Sequence, residues 1–294
     1  MAHFFVKQGW PQEVIDPSEA LLLEARQRVA RQFGGVLPLN PGLGLPPQNE
    51  KAPLTRWLRG EGREYSSALS PQSFYDQVRK LLLGLEMEGA KVEELIEAAV
   101  FAEQGWMREA SDPRDVLLLA ARRAVAREYG GVLPHNPGLG LSPQSRKVPL
   151  TRWLWGERLE YSTNLRPQLF YDQVRKLLSG LGVEEAKVEE MIEAAVFTEQ
   201  DWKRGASDPR KVLLLTARRA VARQFGGVLP ANPGLGLPPQ YRKAALTLWL
   251  KGEKKDVDEN LLPQIRILLC EGSRTDSTEI ESMITAALAD QGTL

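Results

Sequence analysis

Acid–base catalysis, metal capture and covalent catalysis draw on histidine, cysteine and closely paired carboxylates, and this chain is poor in the first two. His3 and His135 are its only histidines and Cys270 its only cysteine. Neither histidine recurs at the spacing on which the rest of the sequence repeats. These three residues cannot assemble a repeated zinc site, and no nucleophile motif surrounds either imidazole. The acids that do recur are Glu61, Glu157 and Glu253, each just after a glycine that ends a short helical segment. A glutamate in that place reads as a solvated helix end, and no second recurrent carboxylate is paired with it as two-carboxylate hydrolysis requires. The sequence therefore assigns no catalytic residue, no metal ligand and no cofactor.

The residue types that do repeat suit recognition. FGGVLPLNPGLGLPPQ at 33–48 returns as YGGVLPHNPGLGLSPQ at 129–144 and as FGGVLPANPGLGLPPQ at 225–240, a period of 96 residues in which three of sixteen columns vary. Glycine and proline interrupt every helix or strand period in this stretch, so a loop of one shape is expected three times. As a connector, Gly34-Gly35 would stop a helix, Val36 and Leu37 would plug the core, and Asn40-Pro41-Gly42 would turn with Gly42 and Gly44 at positive φ. As a binding element, the loop would present Asn40, Leu43, Leu45 and Gln48 to a partner. Its equivalents are Asn136, Leu139 and Gln144, then Asn232, Leu235 and Gln240. Lys51, Lys147 and Lys243 follow the three loops and would suit an anion cradled by glycine N–H groups. The pattern is not a phosphate loop, since no Gly-Lys-Ser/Thr follows and no strand precedes.

Further contact candidates lie beyond the loop. Arg56-Trp57 and Arg152-Trp153 could stack and pair, or the tryptophans could be core with solvated arginines beside them. Tyr65 and Tyr161, with Tyr75 and Tyr171, add aromatic groups of the kind enriched in binding hot spots. The third repeat has Leu248 in place of the arginine and lacks these tyrosines.

Gly34-Gly35-Val36-Leu37-Pro38 and Pro41-Gly42-Leu43-Gly44 resemble pieces of the helix-hairpin-helix DNA glycosylases. In that family a further helix separates the two pieces and another follows the second glycine. Here two residues separate them, Leu45-Pro46-Pro47 follows, and there is no matching catalytic lysine or aspartate. The family is not assigned.

The elements that must hold these residues are helices. Asp16-Pro17, Asp112-Pro113 and Asp208-Pro209 pair an N-cap acid with a proline that wastes no donor. In the first repeat Leu22, Ala25, Val29 and Phe33 then form an apolar stripe. The outer faces of these first helices carry Arg26, Arg31, Arg122, Arg123, Arg127, Arg218, Arg219 and Arg223. A short helix follows the loop at PLTRWLRGE, PLTRWLWGE and ALTLWLKGE. A third shows Phe74, Val78, Leu81, Leu82 and Leu85 at helical spacing, and a fourth shows Val92, Leu95, Ile96, Ala99 and Val100, with Glu93, Glu94 and Glu97 opposite. The expected architecture is all-α, three tandem modules of about 96 residues and about four helices each, at 1–110, 111–206 and 207–294, stacked head to tail. Arginines of one module's first helix would face glutamates of the preceding module's fourth. Phe5, Gln8 and Trp10 match Phe101, Gln104 and Trp106, and Phe197, Gln200 and Trp202, so the N-terminus imitates a module's tail and would cap the first. The third module departs from the pattern after about Lys255.

Lys plus Arg, at 38, equals Asp plus Glu, at 38, so no global field draws the chain to nucleic acid or an anionic membrane. Nothing approaches a membrane-spanning apolar run, no signal peptide is evident, and one cysteine suits a reducing compartment. A soluble, cytoplasmic, non-enzymatic repeat protein that binds a protein partner or joins a larger assembly is the leading expectation. The alternatives are nucleic-acid binding through the arginine-rich first helices and the loop lysines, and an enzyme with loop-lined clefts.

Overall fold

The computed structural model describes residues 16–62, 65–66, 69–141, 148–162, 165–272 and 275–289. Among the described residues the chain is all-helical, with twelve helices and no strand. They are α1 (Pro17–Phe33), α2 (Pro53–Arg59), α3 (Pro71–Gly84), α4 (Gly89–Gln104), α5 (Pro113–Tyr129), α6 (Pro149–Leu154), α7 (Pro167–Gly180), α8 (Glu185–Glu199), α9 (Pro209–Phe225), α10 (Ala245–Lys251), α11 (Leu262–Gly272) and α12 (Ser277–Ala289). None of these is long and apolar enough to cross a membrane.

Local chemistry explains where they start and stop. Asp16 Oδ1 accepts the N–H groups of Ser18 and Glu19 ahead of α1, and Asp208 accepts that of Arg210 ahead of α9. Gly34, Gly60, Gly226 and Gly252 end α1, α2, α9 and α10 in the left-handed region that a side chain would strain.

Contacts gather the chain into two compact units. One comprises 1–109, 119–138 and 142–145, and the other 110–118, 139–141 and 146–294. These limits differ from the 96-residue period, because α5 begins in the second unit and ends in the first. In the first unit α1 packs on α2, α3 and α4, burying Leu21, Ala25, Val29, Leu54, Phe74, Val78 and Ile96. In the second, α9 packs on α7, α8, α10, α11 and α12, around Leu213, Ala217, Val221, Trp249, Ile265 and Ile284.

Two expected stripes differ in detail. On α1 the buried residue is Leu21, while Leu22 and Phe33 are half-buried. On α4 burial spreads to Ala98 and Phe101, while Leu95 is half-buried, because in its unit the helix meets neighbours on more than one side.

Candidate functional site

The first and third loops close in the same way, with an inward and an outward edge. Gln48 N–H donates to Leu39 O at 2.6 Å and Gln240 N–H to Ala231 O at 2.7 Å, closing the first and third loops. Both glutamines are buried, and their Nε2 groups donate to the Pro46 and Pro238 carbonyls. Sequence reasoning offered Gln48 and Gln240 to a partner; the structure gives them to the loop itself. A planar amide next to proline carbonyls that lack a neighbouring N–H supplies the missing donor. Leu37, Leu45, Leu141 and Leu237 are buried as plugs.

Leu43 and Leu139 also turn inward. Each lies against the glycine near the end of a long helix, so that a Cβ on Gly84 would sit 2.8 Å from Leu43 Cδ2, and one on Gly180 2.7 Å from Leu139 Cδ2. Leu235 packs against the core around α9. The outward edge holds Asn40, Asn136 and Asn232, all exposed, and Lys51 and Lys243, also exposed. Gln144 and Lys147 lie outside the described residues. Val36, expected to plug the core, is exposed by 64 %, and its equivalents Val132 and Val228 by 41 % and 49 %. Gly42 and Gly44, with their equivalents in the other loops, have positive φ and open space where a Cβ would be.

The arginine–tryptophan pairs part company. Trp57 and Trp249 are core, with Trp57 meeting the Phe74 ring edge-on at 5.4 Å. Trp153 meets Phe170 likewise at 5.3 Å. Arg56 pairs with Glu61 and Arg152 with Glu157, so these two of the recurrent glutamates are partnered helix ends.

The tyrosines converge on carboxylates that the sequence did not single out. Tyr65 and Tyr75 hydroxyls donate to Glu103 Oε2 at 3.2 and 2.8 Å. In the second unit Tyr161 and Tyr171 donate to Glu199 Oε2 at 3.4 and 2.9 Å. Tyr75 and Tyr171 are themselves buried, so they shape the site from beneath and are not a surface. A cleft of about 550 Å³ opens here in the second unit, lined by Trp153, Glu157, Tyr161, Phe170 and Glu199 with Arg114 beside them. Glu199 is exposed as a residue, yet loss of water around its carboxyl pushes the pKa up; the tyrosine hydroxyls and the Arg114 charge oppose that shift. Burial likewise raises the phenols of Tyr161 and Tyr171, so both remain hydrogen-bond donors at neutral pH. The only signal in sequence was that Glu103 and Glu199 stand 96 residues apart, as the tyrosines do.

Arginine and glutamate pair within each unit. Glu97 Oε atoms take Arg123 at 3.2 Å and Arg127 at 2.8 Å, and Glu193 takes Arg219 at 3.1 Å and Arg223 at 2.9 Å. Arg79 donates to the Arg127 carbonyl and Arg175 to that of Arg223. Beside these pairs, Gly130 and Gly226 are buried against Pro71 and Tyr75, and against Pro167 and Tyr171.

Among the described residues no group of three or more metal-ligating side chains gathers. The arrangement can accept hydrogen bonds and ring contacts from a ligand laid into the cleft, and it can offer the loops' outward edges to a second macromolecule. No protein-family model matches the chain, and neither does any curated protein or solved structure.

Proposed function

We propose that the chain is a non-enzymatic, multivalent protein-binding or scaffold protein, a helical array of three repeats acting in a reducing, cytoplasmic compartment. One observation carries the reading: the exposed valine and asparagine of each loop recur three times, while Leu37, Leu45, Gln48, Leu237 and Gln240 turn into the fold. An apolar side chain left in water at the same place of every repeat serves nothing in the fold, whereas scattered exposed valines would need no explanation. Linked equivalent contacts make later binding steps intramolecular and raise avidity. The paired tyrosine–glutamate sites add a second contact in the first two repeats. Nucleic-acid binding is less supported, because Arg123, Arg127, Arg219 and Arg223 are engaged by Glu97 and Glu193.

The test is capture of protein from native extract by the immobilised full chain, compared across Val36→Ser, Val132→Ser, Val228→Ser and the triple variant. Each single variant should retain part of the captured protein, and the triple variant should lose more than the three single losses together. Equal capture by the triple variant and the wild type would sink the proposal, as would capture of nucleic acid alone that vanishes as salt rises.

A further inference from the structure

The tail of α4 has a fixed seat in the first unit, and the tail of α8 has the same seat in the second. Phe101 meets Trp106 edge-on at 5.4 Å, and Phe197 meets Trp202 at the same distance. Arg122 Cζ stands 5.1 Å over the Trp106 ring and Arg218 Cζ 5.2 Å over Trp202. A Cβ on Gly131 would come 2.7 Å from Val100 and 3.0 Å from Gln104, and one on Gly227 would come 2.7 Å from Val196 and 2.9 Å from Gln200. Each seat thus consists of an arginine for the indole and a glycine of the helix-ending pair for the valine and glutamine.

The first repeat carries the same seat on α1. Arg26 Nε donates to Leu58 O at 2.6 Å, the bond that Arg218 Nε makes to Leu250 O at 2.7 Å, so the guanidinium is held in the same pose. Gly35 has φ +91, as Gly131 has +89 and Gly227 +88. Yet Ala30 and Gly35 are only half-buried, where Ala126, Ala222, Gly131 and Gly227 are buried. The matching tail exists in the sequence. Phe5, Gln8 and Trp10 precede Arg26 and Gly35 by the same intervals that separate Phe101, Gln104 and Trp106 from Arg122 and Gly131.

We propose that residues 4–10 dock intramolecularly on α1 and the Gly34-Gly35 turn, with Trp10 under Arg26 and Gln8 against Gly35. Spacing supports this occupant over a second copy's α4 or α8 tail, because Trp10 precedes Arg26 in the same chain by the interval at which Trp106 reaches Arg122 and Trp202 reaches Arg218. Met1 stands where Glu97 and Glu193 stand, and α1 carries Gln27 in place of Arg123 and Arg219 but keeps Arg31 in place of Arg127 and Arg223. Among the described residues no atom lies within 4 Å of a Cβ placed on Gly34, whereas one on Gly130 meets Pro71 and Tyr75.

The experiment places the photo-crosslinker p-benzoyl-phenylalanine at position 10 of the full chain, using mixed isotopically light and heavy protein. Cross-links should map to α1 around Arg26 and should join residues of one chain. Cross-links that pair light with heavy chains, or that miss α1, would overturn the proposal. Hydrogen exchange gives a second readout: Trp10→Ala should speed exchange of amides in 26–35 roughly tenfold, the scale of one lost indole contact with its cation–π partner. Unchanged exchange there would overturn it as well.

Discussion

Glu199 shows how one carboxyl can be placed against its own interest in water. Burial raises its pKa, and two phenol donors with the nearby Arg114 only partly restore the charged form. A folded-state pKa above the unfolded one means that the native chain holds this proton more tightly. The contribution to stability is then fully present below the unfolded value and is lost as pH rises through the folded one. Glu199→Gln keeps an oxygen to accept a tyrosine hydroxyl and carries no charge. Its stability relative to the wild type should therefore rise as pH goes from about 4 to 7, a trend that urea midpoints at the two pH values will show. A relative stability that falls over that range would mean that the hydroxyls outweigh desolvation and that Glu199 is held ionised.

At the scale of elements, the glycines that end the first helices have two separate jobs. Gly34 and Gly130 share nearly the same backbone, with φ +63 and +61, but among the described residues a Cβ on Gly34 meets nothing while one on Gly130 comes 2.8 Å from both Pro71 C and Tyr75 Cδ2. Alanine at Gly34 should cost only the left-handed strain, about 1–2 kcal/mol. Alanine at Gly130 should cost that plus an overpacking penalty of about 1–3 kcal/mol, and denaturant unfolding of the two variants measures the difference. Equal losses would show that the turn beside α3 has room to yield. Much of this layer was legible in sequence. Aspartate-proline starts, glycine stops and the Phe74–Leu85 stripe all follow from local chemistry. The Leu21 face of α1, the wider burial of α4 and the inward turn of Gln48 were not legible, because each depends on what packs beside the helix or loop, and single-strand periodicity carries no record of neighbours. Val36 was misread for the converse reason: an apolar side chain beside a core leucine looks like core until its direction is known.

At the scale of the whole chain, the period told more than the composition. A balance of 38 basic and 38 acidic residues conceals an ordered placement in which Glu97 and Glu193 each receive two arginines. The tyrosine–glutamate sites stayed hidden because their members lie 28 and 38 residues apart along the chain, and only the fold brings them together. The proposed array makes a demand on cooperativity. If each repeat is stabilised only by its neighbours, a defect should be felt locally and fade with distance. Gly227→Ala places a methyl 2.7 Å from Val196 Cγ1, within the second unit. Native-state hydrogen exchange should then show the opening free energies of α8 and α9 falling by about 2–5 kcal/mol, left-handed strain and overpacking together, while α1, α2 and α3 keep theirs. A uniform fall across all helices would instead describe one all-or-none molecule, and the repeats would be a record of duplication with no separate energetic identity.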